Sequence, residues 1–369
     1  IYKYIKYKIY IYKLIYIVIN YCLIHLMEEI MGLPVNSEIN LFGKHKKGKK
    51  NLITDIEGVR VGHSTIKKDN INTGVTVIFP HEGNIFQEKV MAASAVLNGF
   101  GKSVGLLQIE ELGTIETPIV MTNTLSVGTA TTALIKYMLK QNEDIGIDTG
   151  TVNCLVTECN DGRLNDIRGL HVTEKDVLNA LNSPSEYFEE GSVGGGTGMC
   201  CLGFKGGIGS SSRIIEADGK EYTIGALVMS NFGSSGNLII GGDHIGRRIK
   251  GTAKKDEGSI IIIIGTDIPL SERQLKRVAK RAAISLGKTG SYMGNGSGDV
   301  AIAFTTANRI PHYSKKDIIE TKMFFDDHID KVFEASIEAV EESIISSLYH
   351  SGTTMGFLGK EAKGLKEYL

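Results

Sequence analysis

A serine at the start of an apolar strand is the first candidate for chemistry in this chain of 369 residues. Ser259 follows Gly258 and precedes residues 260–264, five consecutive isoleucines that predict a short strand buried on both faces. If the Gly258–Ser259 bond were cut, Ser259 would carry a hydroxyl group and a free α-amine. Such an amine titrates near enough to neutral pH to act as a general base. The alternative is an ordinary strand start, because Gly-Ser before a strand is common.

Three glycine-rich sites could in principle bind phosphate. Residues 101–103 (Gly-Lys-Ser) and 287–289 (Gly-Lys-Thr) end like P-loops, but Val96 and Ala282 occupy the positions where a P-loop needs its first glycine. The cluster at residues 194–198 lacks the strand, helix and acidic residue of a dinucleotide-binding fingerprint. The sequence therefore argues against nucleotide binding.

The glycine cluster is part of a longer glycine-rich stretch, residues 191–213. Glycine at this density allows the backbone to pass close to a ligand or another segment, and successive N–H groups can form an anion-binding nest. Two tight hairpins are an equally good explanation.

Histidines are the obvious alternative source of a catalytic base. His63, His244 and His312 all lie outside any G-x-S-x-G context, which a Ser-His-Asp hydrolase of the α/β class would show. Structural roles are therefore expected for these three histidines.

Composition excludes several classes of protein. A formal net charge of −1 indicates no electrostatic footprint for nucleic acid. The five cysteines are odd in number and lack C-x-x-C spacing, which argues against a disulfide framework and a zinc site. We expect a cytoplasmic protein without a metal or other cofactor, and 42% apolar residues are ample for a large core.

The first 50 residues differ from the rest of the chain. Lysines precede an almost wholly apolar run at residues 14–27, as in a signal peptide, but no small-residue cleavage site follows and the run is short for a membrane span. Because the chain starts with Ile, whereas Met27 or Met31 would be a normal initiator, residues 1–26 are expected to be upstream read-through; a targeting segment or an anchor is the alternative. The basic run 44–50 is expected to be a solvated linker.

From residue 51 onwards, strand and helix patterns alternate. Strands are predicted for residues 53–63 and 73–80, which form a hairpin, and for 113–124, 152–156 and 260–264. Helices are predicted for residues 91–100, 127–141, 173–181, 271–286 and 334–348, with Thr173 and Ser271 as caps. This mixture indicates a layered α/β or α+β fold, and the strands are too closely spaced for a doubly wound sheet.

Eight motifs occur in order between about residues 51 and 352: GVRVGH (58–63), TGVTVI (73–78), IETPIVMTNT (115–124), GGGTGM (194–199), FKGGIGSSSR (204–213), SNFG (230–233), GSIIIIIGTDIPL (258–270) and GSGD (296–299). With these motifs the chain closely resembles the L-aminopeptidase/D-esterase family, self-processing serine peptidases that include the β-peptidyl aminopeptidases. The resemblance implies an α+β fold, a four-layered α-β-β-α sandwich like that of N-terminal-nucleophile hydrolases, in one self-processing domain over residues 51–369. It also implies peptide or amino-acid-amide substrates and a homo-oligomer of processed units, with no nucleic acid or membrane partner.

The same resemblance assigns roles to individual residues. It implies cleavage between Gly258 and Ser259, with an α chain that ends at Gly258 and a β chain that begins with the nucleophile. Asn231 matches the residue whose amide stabilises the oxyanion. Ser297 and Asp299 match a Ser-x-acid pair that polarises and orients the nucleophile.

The substrate end of the site is implied in the same way. Glu158 matches the acid that binds the free ammonium of the substrate. Asn160 stands where some members have a tyrosine that makes a second oxyanion contact, and Asp299 stands where some have Glu. These departures leave the substrate preference open. The alternatives are a linear-amide hydrolase like the nylon-oligomer enzymes, and a non-catalytic binding protein with the same fold.

Overall fold

The computed structural model describes residues 42–250 and 257–368. The expectations for residues 1–41, and for most of the charged loop before Ser259, lie outside these described residues. The strands are β1 (Arg60–Lys68), β2 (Ile71–Phe79), β3 (Glu88–Gly99), β4 (Thr114–Ile115), β5 (Ile119–Asn123), β6 (Leu155–Cys159), β7 (Cys200–Cys201), β8 (Phe204–Lys205), β9 (Gly207–Ala217), β10 (Lys220–Asn231), β11 (Glu257–Thr266), β12 (Gly296–Pro311), β13 (Thr354–Met355) and β14 (Glu361–Ala362). The helices are α1 (Leu106–Leu112), α2 (Val127–Gln141), α3 (Glu174–Leu181), α4 (Ile245–Lys250), α5 (Glu272–Thr289) and α6 (Asp330–Tyr349).

Two sheets face each other between two layers of helices. The larger sheet has six strands in the order β4-β3-β12-β11-β10-β9, and the smaller has four in the order β1-β2-β5-β6. Helices α5 and α6 pack on the larger sheet, whereas α2 and α3 pack on the smaller one. This arrangement is the predicted α-β-β-α sandwich. Within the described residues, no helix combines the length and the apolar character that a membrane span requires.

The run of isoleucines forms β11, a central strand of the larger sheet. Ile260, Ile262 and Ile264 belong to the core beneath α5 and α6, whereas Ile261 and Ile263 belong to the core between the two sheets. All five are at most 1% exposed. The prediction of a strand buried on both faces is confirmed, and the burial on both sides holds the start of β11 in place.

Helix caps are confirmed where the sequence predicted them. Thr173 precedes α3, and its backbone N–H donates to the Asp176 carboxylate at 2.9 Å. Ser271 precedes α5, and its hydroxyl accepts the backbone N–H of Gln274 at 3.3 Å. The Asp176 carboxylate and the Ser271 hydroxyl thus each satisfy a backbone N–H group that has no intrahelical partner at the helix terminus.

Residues 91–100, predicted as a helix, lie mostly in strand β3, so this prediction is wrong. The strand is paired with β4 on one side and with β12 on the other. Ala92 lies in the core between the sheets, and Ala93 lies in the core beneath the helices. Small residues favour a helix only weakly, and pairing with two neighbouring strands outweighs that preference.

The first hairpin is confirmed as the antiparallel pair β1–β2, but its first strand begins later than predicted. Residues 53–55 form a 3₁₀ turn instead. The Asp55 carboxylate accepts the backbone N–H of Lys50 at 2.9 Å and the hydroxyl of Ser212 at 2.7 Å, and these bonds stabilise the turn.

Residues 42–50 pack on the domain, so the expectation of a solvated linker is wrong for them. Phe42 is 1% exposed and belongs to the core beneath α6. Lys47 Nζ lies 2.8 Å from the carboxylate of Glu342, which is on α6. The basic run thus neutralises acidic side chains of that helix. A domain boundary at residue 51 remains a prediction.

Candidate active site

Ser259 lies between two strands that contribute the other candidate residues. In the larger sheet it pairs with Asn231 of β10 and with Gly298 of β12. Its hydroxyl donates to the carbonyl oxygen of Gly258 at 2.7 Å. The side chain is only 6% exposed, but it reaches a cavity of about 840 Å³. Ser259 is therefore an anchored serine with its oxygen beside the preceding peptide group.

Gly258 has a backbone conformation that only glycine adopts readily. Its φ is +129°, and a Cβ built there would lie 2.0 Å from the carbonyl oxygen of Asn231. A side chain at this position would be strained by both its dihedral angle and its contact with the neighbouring strand. The peptide that precedes Ser259 is thus held in an uncommon conformation against β10.

Asn231 is the last residue of β10, and its side-chain amide is fixed by two backbone groups. Oδ1 accepts the N–H of Cys200 at 2.8 Å, and Nδ2 donates to the carbonyl of Asn160 at 2.9 Å. The amide nitrogen has a second hydrogen. Because Asn231 lines the cavity beside Ser259, this hydrogen is a candidate donor to a bound carbonyl oxygen.

A buried lysine lies on the strand paired with Cys200, and the sequence analysis assigned it no role. Lys205 lies in β8, opposite Cys200 of β7, and is 0% exposed. Its ammonium group donates to the carbonyls of Gly196 at 3.0 Å and Gly206 at 2.6 Å. Burial lowers its pKa to about 7. The sequence did contain a signal for this role, the lysine of the FKGGIG motif, because a charged residue that is buried among glycines needs hydrogen-bond partners.

Ser297 and Asp299 lie next to Ser259 on β12. The Ser297 hydroxyl donates to Oδ1 of Asp299 at 2.6 Å, and both residues are at most 1% exposed. Gly258 is paired with Ser297, and Ser259 with Gly298. The structure therefore brings this hydrogen-bonded pair beside the candidate nucleophile, but neither of its members lines the cavity.

Glu158 supplies a carboxylate to the cavity from the smaller sheet. It lies near the end of β6 and is 3% exposed. One oxygen accepts the backbone N–H of Lys102 at 2.8 Å, and the other accepts the hydroxyl of Thr124. These two donors fix the carboxylate, and a carboxylate has further lone pairs for a ligand cation.

The cavity brings together most of the residues that the motifs singled out. Gly258, Ser259, Asn231, Glu158 and Asn160 all line it. Asn160 uses its side-chain oxygen to accept the N–H of Gly162 at 2.9 Å, so it holds a turn in addition to lining the cavity.

The three candidate histidines are not among the residues that line the cavity. The Nδ1 atom of His63 lies 2.9 Å from the hydroxyl of Thr76, and burial lowers its pKa to about 4. His312 lies 2.8 Å from both Lys89 and Thr149. His63 and His312 thus have structural partners, and His244 is exposed.

The grouping of a serine, an amide donor and a fixed carboxylate can bind and hydrolyse a substrate with a free ammonium group. Comparison with known proteins agrees. The model of peptidase family S58 matches residues 51–362. The chain belongs to peptidase family S58.

Characterised relatives specify the activity of the family more closely. The S58 chain is 36% identical over 341 residues to the beta-peptidyl aminopeptidase BapA of Sphingosinicella microcystinivorans, with 85% of each chain covered. It is therefore a hydrolase, an aminopeptidase with the N-terminal-nucleophile fold, and self-cleavage is implied by the family.

Solved structures agree with this assignment. The PH0078 protein from Pyrococcus horikoshii OT3 is 54% identical, with a TM-score of 0.85 over 88% of this chain and 94% of that one. The L-aminopeptidase D-Ala-esterase/amidase from Ochrobactrum anthropi, described as a variant of the Ntn hydrolase fold, is 35% identical, with a TM-score of 0.82. The chain covers most of the length of each of these proteins.

Proposed function

We propose that this S58 aminopeptidase cleaves its own Gly258–Ser259 bond and then uses Ser259 as an N-terminal nucleophile on short peptides, amino-acid amides or esters. The observation that carries the proposal is the contact of the Ser259 hydroxyl with the Gly258 carbonyl at 2.7 Å. The glycine has a φ of +129°, and the same serine opens into the cavity that Asn231 and Glu158 line.

Processing follows from this contact as an N-to-O acyl shift. Oγ of Ser259 attacks the carbonyl carbon of Gly258, the hydroxyl proton moves to the amide nitrogen, and the C–N bond breaks to leave an ester. Water then hydrolyses the ester. The products are a Gly258 carboxylate and a Ser259 residue with a free hydroxyl and a free α-amine. The glycine at position 258 permits the step because no Cβ crowds this peptide against the Asn231 carbonyl.

Turnover repeats the same chemistry on a substrate. The Ser259 α-amine accepts the proton of Oγ as the oxygen attacks the carbonyl of the substrate's first residue. The free Nδ2 hydrogen of Asn231 donates to the developing oxyanion, and the protonated amine then gives its proton to the leaving amine. Water hydrolyses the aminoacyl-enzyme and frees Ser259.

Two acidic residues have separate roles in this scheme. The Glu158 carboxylate binds the ammonium group of the substrate and restricts the enzyme to free N-termini. Asp299, through its 2.6 Å bond to the hydroxyl of Ser297, orients the strand segment paired with Gly258 and Ser259. Asn160 lines the substrate side and supplies the carbonyl that fixes the Asn231 amide.

The test is the mass of the purified protein together with its activity. Wild type is expected to give two fragments, one of which begins at Ser259, and to release p-nitroaniline from an aminoacyl p-nitroanilide. Ser259→Ala is expected to remain one chain without activity. A panel of L-, D- and β-aminoacyl amides then identifies the acyl residue and separates an aminopeptidase from a linear-amide hydrolase. An intact and inactive wild-type chain would refute the proposal.

The surroundings of the enzyme are also part of the proposal. We assign it to the cytoplasm because the described cysteines, Cys154, Cys159, Cys200 and Cys201, are all free thiols. We expect the processed chains to assemble into a homo-oligomer, which light scattering would detect as a mass above 40.1 kDa.

A further inference from the structure

The cavity is lined by two cationic side chains that neither processing nor turnover uses, those of Lys102 and Arg163. The Lys102 ammonium group lies over the Phe100 ring, 4.5 Å from its centroid. Arg163 lines the cavity with an exposed side chain, and among the described residues it forms no salt bridge. Glu158 is the one carboxylate among the described residues that line this cavity, and its oxygens accept the backbone N–H of Lys102 and the hydroxyl of Thr124. An arginine that opens into a substrate cavity and forms no salt bridge among the described residues is available to a substrate anion.

The turn that carries Arg163 is well ordered by its neighbours. Asp161 and Leu164 are 0% exposed, and the Leu164 N–H donates to the carbonyl of Asp161 at 3.0 Å. Between them, the Gly162 N–H donates to the side chain of Asn160 at 2.9 Å. The backbone of Arg163 is thus held between buried anchors, so the position of its Cα is set before a substrate binds.

The loop from Glu158 to Arg163 brings three polar residues to the cavity. Glu158 offers a carboxylate at one point. Two residues later, the carbonyl of Asn160 bonds the amide of Asn231, the candidate oxyanion donor. Arg163 lines the same cavity as Cys200, whose backbone N–H donates to the Asn231 side chain at 2.8 Å.

We propose that Arg163 binds the C-terminal carboxylate of the substrate's leaving group, so that the enzyme prefers short peptides with a free C-terminus over the corresponding C-terminal amides. The ammonium group lies at Glu158, the scissile carbonyl lies between Ser259 and Asn231, and the carboxylate lies at Arg163. This inference rests on the proposed function and identifies the substrate class of the same site.

The test compares two substrates that differ only at the C-terminus. X-Ala and X-Ala amide are prepared, where X is the acyl residue that the p-nitroanilide panel selects, and kcat/KM is measured for cleavage after X. Wild type is expected to favour the free acid about tenfold, the effect of one charge-assisted hydrogen bond. The preference should fall at 0.5 M NaCl, because salt screens an exposed ion pair.

Three variants isolate the guanidinium group. Arg163→Gln is expected to bring the acid-to-amide ratio close to one, and Arg163→Lys should retain part of the preference. Arg168→Gln is the matched control, because Arg168 is an exposed arginine of the same loop that does not line the cavity. It should keep the wild-type ratio. The readout is a ratio, so a general loss of activity cancels.

Several results would overturn the inference. A wild-type ratio near one, or the same ratio in Arg163→Gln, would refute it while p-nitroanilide hydrolysis remained intact. If Arg168→Gln lowered the acid-to-amide ratio as much as Arg163→Gln, the preference would reflect the net charge of the protein. If Arg163→Gln lowered kcat/KM only for substrates whose first residue is Asp or Glu, Arg163 would bind a substrate side chain instead. Failure to hydrolyse any substrate would refute the proposed function, and the inference with it.

Discussion

Truncation of Asn231 separates its role at the oxyanion from its role in the structure. In Asn231→Ala the candidate donor is lost, and removal of one such donor typically lowers kcat by about 10²–10³. The Cys200 N–H and the Asn160 carbonyl lose their partners at 2.8 and 2.9 Å as well. Cys200 is half-buried and Asn160 is exposed, so water compensates for part of this loss. A destabilisation of about 1–2 kcal/mol is therefore expected.

The kinetic loss is measured on protein whose processing is known. The fraction of chains that begin with Ser259 is determined by mass spectrometry, and kcat for an aminoacyl p-nitroanilide is expressed per such terminus. Unfolding in urea gives the stability. We expect a fall in kcat of at least 100-fold at a stability that keeps the assayed protein folded, because about 2.7 kcal/mol of transition-state stabilisation is lost.

Asn231→Asp is the matched variant. It keeps the shape and the acceptor for Cys200, but it places a carboxylate oxygen opposite the Asn160 carbonyl and near the developing oxyanion. Its kcat should fall at least as far as that of Asn231→Ala. If processed, folded Asn231→Ala loses less than about tenfold in kcat, or if Asn231→Asp is more active than the alanine variant, Asn231 is not the oxyanion donor.

Two further predictions concern the processing site and the stability at different pH. Gly258→Ala should slow or stop processing, because the added Cβ would lie 2.0 Å from the Asn231 carbonyl oxygen. Gly287→Ala is the control and should be processed normally, because its Cβ would meet no atom within 4 Å. Equal fractions of cleaved chains in the two variants would contradict this prediction. Burial raises the pKa of Glu190 from 4.5 to about 7, so the folded state binds the extra proton and the free energy of unfolding should fall by about 2 kcal/mol as pH rises from 5 to 7. Glu190→Gln should keep the hydrogen bonds from Ser210 and Ser346. It should also remove most of the pH dependence of the free energy of unfolding measured in urea. An unchanged pH dependence would exclude Glu190 as its origin.

The sequence alone determined the features that depend on local pattern. Five β-branched residues in a row predicted the central strand at residues 260–264, and capping residues at Thr173 and Ser271 predicted where two helices begin. Such signals are local because a run of β-branched residues and a capping side chain can each be recognised within a few neighbouring residues. The reaction was implied by the resemblance that the eight motifs carry together, whereas Gly258-Ser259 alone is also compatible with an ordinary strand start.

Tertiary structure decided the features that depend on distant partners. Residues 91–100 became part of a strand because β4 and β12 pair with them, although their small side chains suit a helix. Residues 42–50 pack on α6 because acidic groups there offset the lysines. The partners of Lys205 and the place of Arg163 in the cavity likewise come from segments that the chain separates. A pattern records the preference of one segment, whereas hydrogen bonds and charges across the fold exist only once the layers have assembled.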